Sequence, residues 1–173
     1  MKISFFRIII FIFTIFLLSM FWLGLNKDNS YNTKKLIGSK ISSFQLKSFH
    51  NNNLISDKIL GQNQFTLINF FASWCAPCRL EHKYLIELAQ KNENIKIVGI
   101  NFKDKKNNAL KFLNELGDPY SLIAEDPEGK ASILFGIYGI PESILIDKDL
   151  TIIKKIIGPI NQKQLKEILK LVQ

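Results

Sequence analysis

The sequence predicts an α/β domain with a mostly parallel sheet, helices on both faces and an antiparallel hairpin at the end. Residues 65–72 and 95–100 are nearly continuous apolar runs, which are typical of strands buried on both faces. The segments after them carry apolar residues at helical spacing. Residues 143–146 and 152–157 are too close for a crossover helix, so we expect them to pair antiparallel. The resulting order is βαβαβαββα.

Residues 1–25 are predicted to form an N-terminal transmembrane anchor. Residues 8–25 carry no charge, and as a helix they span ~27 Å, enough for a bilayer core. A retained anchor is favoured over a cleaved signal peptide, because the run is long and ends in bulky, aromatic residues. Residues 26–40 are polar and predict a juxtamembrane linker, which leaves residues 41–173 for the folded domain.

The first part of the folded domain contains a short strand, a turn and a helix. Residues 41–49 alternate partially and predict an edge strand, and the His-Asn run at 50–53 predicts a turn. Residues 54–64 support no assignment. Residues 77–91 predict a helix. Its expected core face consists of Leu80, Tyr84, Leu85 and Leu88.

The second part alternates helices and strands. Apolar spacing predicts a helix over 105–116, a strand over 120–124 and a short helix over 129–135. A glycine-punctuated loop separates the last of these from the hairpin. Asn161 can cap a terminal helix. The expected core face of that helix is Leu165, Ile168, Leu169 and Val172.

Composition excludes several classes of protein. The net charge is +8, from 23 Lys and Arg against 15 Asp and Glu, but the basic residues are scattered. No basic stripe interleaved with aromatic residues is present, which argues against nucleic-acid binding. The charge is compatible with an anionic membrane surface. With two cysteines in 173 residues, the chain has no framework of structural disulfides, so its core must supply the stability.

Those two cysteines, Cys75 and Cys78, lie between the first buried strand and the following helix. A helix N-terminus carries about +0.5 charge and favours a thiolate. We therefore predict dithiol redox chemistry, with Cys75 as the more exposed, attacking thiolate. Cys78, one turn into the helix and more buried, would resolve the mixed disulfide.

The alternatives to redox chemistry are half of a zinc site and inert core thiols. A zinc site needs two further ligands, and the chain has only His50 and His82 and no second Cys-x-x-Cys. A c-type haem attachment site needs histidine directly after the second cysteine, where this chain has Arg79. We therefore expect no metal and no cofactor beyond the Cys75–Cys78 pair.

Four sequence blocks resemble the DsbE/CcmG family in order and spacing. The first contains Trp-Cys-x-Pro-Cys, and the last reads Gly-x-Tyr-Gly-x-Pro-Glu. The blocks are residues 72–82, 99–104, 117–120 and 136–143. The family comprises membrane-anchored, thioredoxin-like proteins of bacterial cytochrome c maturation. The resemblance covers residues 41–173 and implies a thioredoxin-like fold with a central mixed β-sheet, helices on both faces and an inserted βα segment.

The chain departs from the family pattern at three positions. Lys83 stands where members often carry proline, which predicts an active-site helix without a proline kink. Ser143 replaces threonine after the Pro-Glu pair. Asn69 occupies the position of the buried aspartate of thioredoxins, as in closer relatives. Since asparagine takes up no proton, the resolving step needs another acid or base.

The resemblance also suggests roles near the thiols. Pro141 is implied to be the cis-proline that faces the cysteines, leaving the Ile140 backbone free to pair with a substrate segment; the residues alone leave an ordinary loop proline equally open. Glu81 and Glu142 are either carboxylates that border the dithiol groove and shuttle a proton, or solvated surface residues. Trp74 is expected to flank the thiols as an apolar lid, with core packing as the alternative.

The functional expectation is a membrane-tethered thiol:disulfide oxidoreductase on the periplasmic side of the bacterial inner membrane. By resemblance, it reduces a disulfide of apocytochrome c, or of a partner protein, so that haem can be attached. Its implied electron donor is a membrane thiol transporter of the DsbD/CcdA type. One alternative is a broader-specificity reductase of the TlpA/ResA type. The other is a copper-handling module that uses both cysteines and a histidine. We expect His82 to be a helix-surface residue rather than a ligand.

Overall fold

The structure, a computed structural model, describes residues 2–25, 36–51 and 53–173. Two compact units are present, one containing the N-terminal helix and the other all later elements. The elements are α1 (Lys2–Leu25), β1 (Gln45–Lys47), β2 (Leu54–Ser56), α2 (Asp57–Leu60), β3 (Phe65–Phe71), α3 (Ala76–Lys91), β4 (Ile95–Phe102), α4 (Lys106–Leu116), β5 (Leu122–Asp126), α5 (Lys130–Leu134), β6 (Glu142–Asp147), β7 (Ile152–Ile157) and α6 (Gln162–Leu171).

Helix α1 is largely apolar and belongs to the first compact unit. Within the part of the chain that the structure describes, its segment Phe5–Leu25 is the one helix long and apolar enough to cross a membrane. Its side chains are exposed from Phe5 onward, which is compatible with a lipid environment. The predicted linker lies outside the described residues from 26 to 35.

The domain begins earlier than predicted. Leu36 packs against the core, the N–H of Gly38 donates to Ile152 O at 2.8 Å, and the N–H of Ile152 donates to Ser39 O at 2.9 Å. The domain therefore includes residues 36–40, which the sequence assigns to the linker. This stretch contains few apolar residues. Its backbone hydrogen bonds are with β7, far along the chain, and the sequence pattern does not predict them.

The central sheet has the strand order β5-β4-β3-β6-β7. The pairs β3–β4 and β4–β5 are parallel, and the pairs β3–β6 and β6–β7 are antiparallel. The expected α/β class and mixed sheet are confirmed. Four of the five strands point in the same direction and β6 alone is reversed. Only two of the four strand pairs are parallel, however, because β6 lies between β3 and β7. The predicted βαβαβαββα order is present, preceded by the β1–β2 hairpin and α2.

Side chains of β3 alternate between two hydrophobic clusters. Leu67 and Phe71 belong to the cluster that packs under α3, α4 and α6. Ile68 and Phe70 belong to the opposite cluster, which includes residues of β2 and α2. Because strand side chains alternate, Asn69 shares the first face with Leu67 and Phe71. This places a buried amide directly beneath α3.

Helix α3 differs from its prediction in which residues it buries. It runs without interruption past Lys83, but Leu80 is 69% exposed, so its assignment to the core face is wrong. The buried residues are Cys78, Glu81, His82, Leu85 and Leu88. Two polar side chains thus occupy the core face, because they find hydrogen-bond partners there. The predicted Asn161 cap of α6 is confirmed as a capping box with Gln164.

Candidate active site

The cysteine pair lies where β3 passes into α3. Cys75 is the N-cap residue of α3, and its Sγ accepts a hydrogen bond from the N–H of Cys78 at 3.2 Å. Pro77 lies in the first helical turn, where a backbone N–H is not needed. Cys75 and Cys78 are joined as a disulfide, with Cα atoms 5.3 Å apart. The Cys75 sulfur therefore occupies the position where a helix N-terminus stabilises negative charge.

Both sulfurs are shielded from solvent. Cys75 is 4% exposed and Cys78 is 1% exposed, so the predicted contrast between an exposed and a buried thiol is small in the disulfide form. A partner therefore reaches Cys75 only by close contact with the surrounding surface.

Asp104 braces the turn that precedes the cysteines. Its carboxylate accepts from the N–H of Ser73 at 2.6 Å and from Ser73 Oγ at 3.0 Å. It also accepts from Asn101 Nδ2 at 3.2 Å and from the N–H of Lys105 at 2.7 Å. Sequence reasoning assigned Asp104 no role, although its place just after β4 puts it at the same sheet edge as the end of β3.

Trp74 lies at the surface beside the disulfide. Its side chain is 58% exposed, and its Nε1 donates to Lys103 O at 3.2 Å. Its ring lies 6.4 Å from that of Phe102. Core packing, the alternative considered for Trp74, is therefore wrong.

Glu81 is buried one turn beyond Cys78. Its side chain is 1% exposed, so the surface interpretation is wrong. Oε1 accepts from Asn69 Nδ2 at 2.8 Å, and Oε2 accepts from the N–H of Ile160 at 2.8 Å. Burial raises the pKa of Glu81 to about 7, and the two hydrogen bonds oppose this rise. The carboxyl group can therefore exchange a proton near neutral pH.

Asn69 connects the Glu81 carboxylate to two hydroxyl groups. Its Nδ2 also donates to Ser143 Oγ at 3.0 Å, while its Oδ1 accepts from the Tyr120 hydroxyl at 2.8 Å. Asn69, Tyr120 and Ser143 are all buried. Sequence reasoning noted Asn69 and the Gly-Asp-Pro-Tyr block but did not place Tyr120 in the site. The spacing of apolar residues in the sequence does not predict a hydrogen bond between two distant side chains such as Tyr120 and Asn69.

Glu142 is also buried but has different partners. Its Oε1 accepts from the N–H groups of Tyr138 and Gly139 at 3.0 and 3.2 Å. Its Oε2 forms an ion pair with Lys155 Nζ at 3.0 Å, without the geometry of a directed hydrogen bond. Lys155 Nζ also donates to Gly136 O. The surface interpretation of Glu142 is wrong, and the pair holds the loop from Gly136 to Pro141.

That loop contains the one cis peptide bond in the described residues, between Ile140 and Pro141. The cis conformation implied for Pro141 is therefore present. Ile140 packs against the hydrophobic cluster that includes Cys75 and Cys78. Ile140 also packs against the opposite cluster.

The sequence predicts His82 at the helix surface. This prediction is wrong, because the residue is only 2% exposed. Its Nε2 lies 2.8 Å from Gly117 O, and its ring meets that of Phe112 edge-on at 4.9 Å. Burial lowers the pKa of His82, although the contact with Gly117 opposes this. His82 therefore ties α3 to the turn after α4.

Metal binding has no support among the described residues. Within residues 2–25, 36–51 and 53–173, no group of three or more His, Cys, Asp or Glu side chains is arranged to hold a metal ion.

The fold and site define a thioredoxin-like protein whose Cys-x-x-Cys disulfide caps a helix. The Redoxin family model matches residues 36–171, so the chain belongs to the Redoxin family. Within it, the chain belongs with the thiol:disulfide interchange proteins of the DsbE type, as the relatives below show. The resemblance to this family is confirmed.

Curated relatives carry that name. Thiol:disulfide interchange protein CycY from Rhizobium leguminosarum bv. viciae is 55% identical over 106 residues, covering 61% of this chain and 56% of CycY. HelX from Rhodobacter capsulatus is 36% identical over 137 residues, covering 79% of this chain and 76% of HelX. DsbE from Escherichia coli K12 is 37% identical over 136 residues, covering 78% of this chain and 72% of DsbE. The alignment thus spans little more than half of CycY.

Solved structures show the same fold. The thioredoxin domain of a thiol-disulfide oxidoreductase from Bacteroides vulgatus has a TM-score of 0.68 at 20% identity, covering 79% of this chain and 98% of that domain. A thiol:disulfide interchange protein from Bacteroides sp. has a TM-score of 0.67 at 20% identity, covering 79% and 90%. The expected thioredoxin-like fold is confirmed.

Proposed function

We propose that this chain is a membrane-tethered thiol:disulfide oxidoreductase whose Cys75–Cys78 pair exchanges with a disulfide of a partner protein. The observation that carries this proposal is the hydrogen bond from the N–H of Cys78 to Cys75 Sγ at the start of α3. In the reduced protein the same N–H and the helix dipole stabilise a Cys75 thiolate, which is the species that attacks a disulfide.

The exchange proceeds through a mixed disulfide. The Cys75 thiolate attacks one sulfur of the partner's disulfide, and the partner's other sulfur leaves as a thiolate and takes up a proton. Cys78 then loses its proton and attacks the Cys75 sulfur. This step forms the Cys75–Cys78 disulfide and releases the second partner thiol. Two electrons pass to the partner. Cys78 releases one proton, and because Cys75 enters as a thiolate, the second proton that the two partner thiols need comes from solvent.

Glu81 is proposed as the base that takes the Cys78 proton. It lies one helical turn from Cys78, on the same buried face. Its pKa of about 7 matches the requirement that a proton acceptor be partly ionised at working pH. Asn69, which replaces the acid found in thioredoxins, then serves as a hydrogen-bond donor to Glu81 rather than as a base.

The loop from Gly136 to Pro141 is proposed as the docking edge. An extended partner segment would pair with the Ile140 backbone beside Pro141, as an added strand. Trp74 and Tyr138 are exposed aromatic side chains that would flank this segment. Glu142 would act as a positioning residue, because its contacts are with the loop backbone and Lys155.

Membership of the family supports a proposal for the partner and the location. We propose the disulfide of apocytochrome c, or of another cytochrome c maturation protein, as substrate, and a membrane thiol transporter of the DsbD/CcdA type as electron donor. The apolar helix α1 supports a single-pass anchor in the inner membrane, with residues 36–173 in the periplasm. Residues 1–25 would be the anchor and residues 26–35 the connecting linker.

The first test replaces each cysteine in the full chain, held in detergent micelles. A peptide with an oxidised Cys-x-x-Cys-His segment and oxidised insulin serve as substrates. We expect Cys75→Ser to abolish reduction of both, and Cys78→Ser to accumulate a mixed disulfide through Cys75. Mass spectrometry identifies that adduct, and thiol release gives the rate.

Three outcomes would change the proposal. Reduction by Cys75→Ser at the wild-type rate would overturn dithiol exchange. Equal rates on both substrates would indicate a broader reductase of the TlpA/ResA type. Tight stoichiometric binding of copper(I), lost in Cys75→Ser, would favour a copper-handling role.

In cells, loss of the protein should lower holocytochrome c, and dithiothreitol should restore it.

A further inference from the structure

The buried amide of Asn69 has two chemically different ends, and each meets a different neighbour. Its NH2 group donates to Glu81 Oε1 at 2.8 Å and to Ser143 Oγ at 3.0 Å. Its oxygen accepts from the Tyr120 hydroxyl at 2.8 Å. Turned over, the amide would aim an oxygen at the Glu81 carboxylate. The orientation of this one amide therefore decides whether Glu81 receives a hydrogen bond or a repulsive contact.

We propose that Tyr120 is a positioning residue whose hydroxyl holds the Asn69 amide with its NH2 group facing Glu81. The proposal rests on the proposed role of Glu81 in exchange, and extends it to a residue of the segment between α4 and β5. If the amide turned over, the Tyr120 hydroxyl proton would lose the Asn69 oxygen as acceptor. Losing a partner is costly for a buried hydroxyl.

The Tyr120 ring is itself held on several sides. It stacks on Phe71 with ring centroids 4.8 Å apart, and His82 meets it at 6.3 Å. Gly99 leaves the space that the ring occupies, since a Cβ there would lie 3.0 Å from the ring atoms and 2.9 Å from Phe71. The hydroxyl position is thus fixed by packing, so it can orient the amide.

The charged and titratable groups around Glu81 favour this reading. Burial and the nearby Glu81 and Asp118 raise the pKa of Tyr120, so its hydroxyl stays a proton donor across the working range. His82, next to Glu81 on α3, faces Gly117 O. The second Glu81 oxygen accepts from the N–H of Ile160, a neutral donor. The Asn69 amide is therefore the adjustable partner of this carboxylate.

The test is a carboxyl-carbon NMR titration of Glu81 in the oxidised full chain, held in detergent micelles. Tyr120→Phe removes only the hydroxyl and keeps the ring. We expect it to raise the pKa of Glu81 by roughly one unit, because an ionised carboxylate loses an oriented donor. Tyr84→Phe is the matched control, because Tyr84 is a half-buried tyrosine of α3, the helix that carries Glu81, and this change should leave the titration unchanged.

Two further variants separate positioning from general damage. Ser143→Ala also removes a hydrogen bond of Asn69 but leaves Tyr120 in place, so it should not raise the pKa of Glu81. In a Glu81→Gln background, adding Tyr120→Phe should leave the pH profile of exchange unchanged. In the unaltered protein, the Asn69 side-chain NH2 signals should shift with the Glu81 titration, a readout that needs no variant.

The proposal is overturned if Tyr120→Phe shifts the Glu81 titration by less than roughly 0.3 units, a small fraction of what one charged hydrogen bond supplies. An equal rise in Ser143→Ala, or Asn69 signals that ignore the titration, would also overturn it. The Glu81 titrations and the Asn69 signals use the disulfide form and need no exchange partner; only the pH profile in the Glu81→Gln background requires exchange. Failure of the exchange assay therefore bears on the proposed function, whereas an unmoved titration bears on Tyr120.

Discussion

Two glutamates of the site are buried, and the charge of their surroundings differs. Glu81 lies between neutral donors, the Asn69 amide and the N–H of Ile160. Glu142 lies against an ammonium group, Lys155 Nζ, at 3.0 Å, with backbone N–H groups on its other oxygen. One carboxylate has only neutral hydrogen-bond donors beside it, whereas the other lies against an ammonium group.

Because their surroundings differ in charge, Glu81 and Glu142 are suited to different roles in the proposed function. A carboxylate without a counter-charge in a buried site takes up a proton more readily, which suits proton transfer. A carboxylate paired with an ammonium group organises the backbone around it. The Lys155 side chain is fully buried, and both members of the pair contact the loop from Gly136 to Pro141. In the proposed function, the ion pair shapes the docking edge, while Glu81 takes the Cys78 proton.

The largest effect is expected from Lys155→Met. It leaves Glu142 buried without its counter-charge, which costs about 3–5 kcal/mol when one partner of a buried pair is removed. Denaturant unfolding of the oxidised protein measures the loss. Lys154→Met, on the same strand, is the control, because its pair with Glu167 is partly exposed, and it should change stability far less.

The same experiment can contradict the comparison. If Lys155→Met and Lys154→Met destabilise equally, the buried pair has no special weight. Adding Glu142→Gln to Lys155→Met should recover part of the loss, since the uncompensated charge is then gone. A further loss in the double variant would show that Glu142 is held by the loop backbone rather than by Lys155.

The next effect concerns pH and Glu81. The pKa of Glu81 is about 7 in the folded protein against an ordinary 4.5, so the folded state holds the proton more tightly. Its stabilising contribution is full below about pH 4.5 and is lost as pH rises through 7, amounting to about 3 kcal/mol. Glu81→Gln should abolish this loss and be more stable than wild type at pH 8.

Unfolding must be compared between wild type and Glu81→Gln at each pH. The lowered pKa of His82 acts in the opposite direction, because its folded state releases a proton more readily and loses stability in acid. The difference between the two proteins cancels the His82 contribution. A difference that stays constant between pH 5 and pH 8 would mean that Glu81 does not titrate in this range.

The smallest of the three effects is expected from Glu142→Gln. The amide oxygen can still accept from Tyr138 and Gly139, and Lys155 keeps Gly136 O, so we expect a loss of about 2 kcal/mol. At pH 8 the same Glu-to-Gln change should therefore destabilise at 142 and stabilise at 81. Chemical denaturation at one pH gives both signs, and equal signs would remove the distinction between the two sites.

Much of the fold could be predicted from local patterns. The buried strands β3 and β4, the hairpin β6–β7, the Asn161 cap and the position of the cysteines before α3 all follow from apolar runs, turns and caps. Leu80 shows the limit of this approach. It is apolar and at helical spacing, yet it is exposed, because Glu81 and His82 take the core face instead.

The sequence by itself determined the α/β class, the apolar N-terminal helix and the cysteine pair at a helix start, because these depend on residues close together in the chain. Only the tertiary structure decided which polar side chains are buried and what they meet. Asn69 reaches Ser143 across 74 positions, and Glu81 reaches Ile160 across 79. The charge state of a buried group depends on such distant partners, so the contrast between the surroundings of Glu81 and Glu142 exists only in the folded chain.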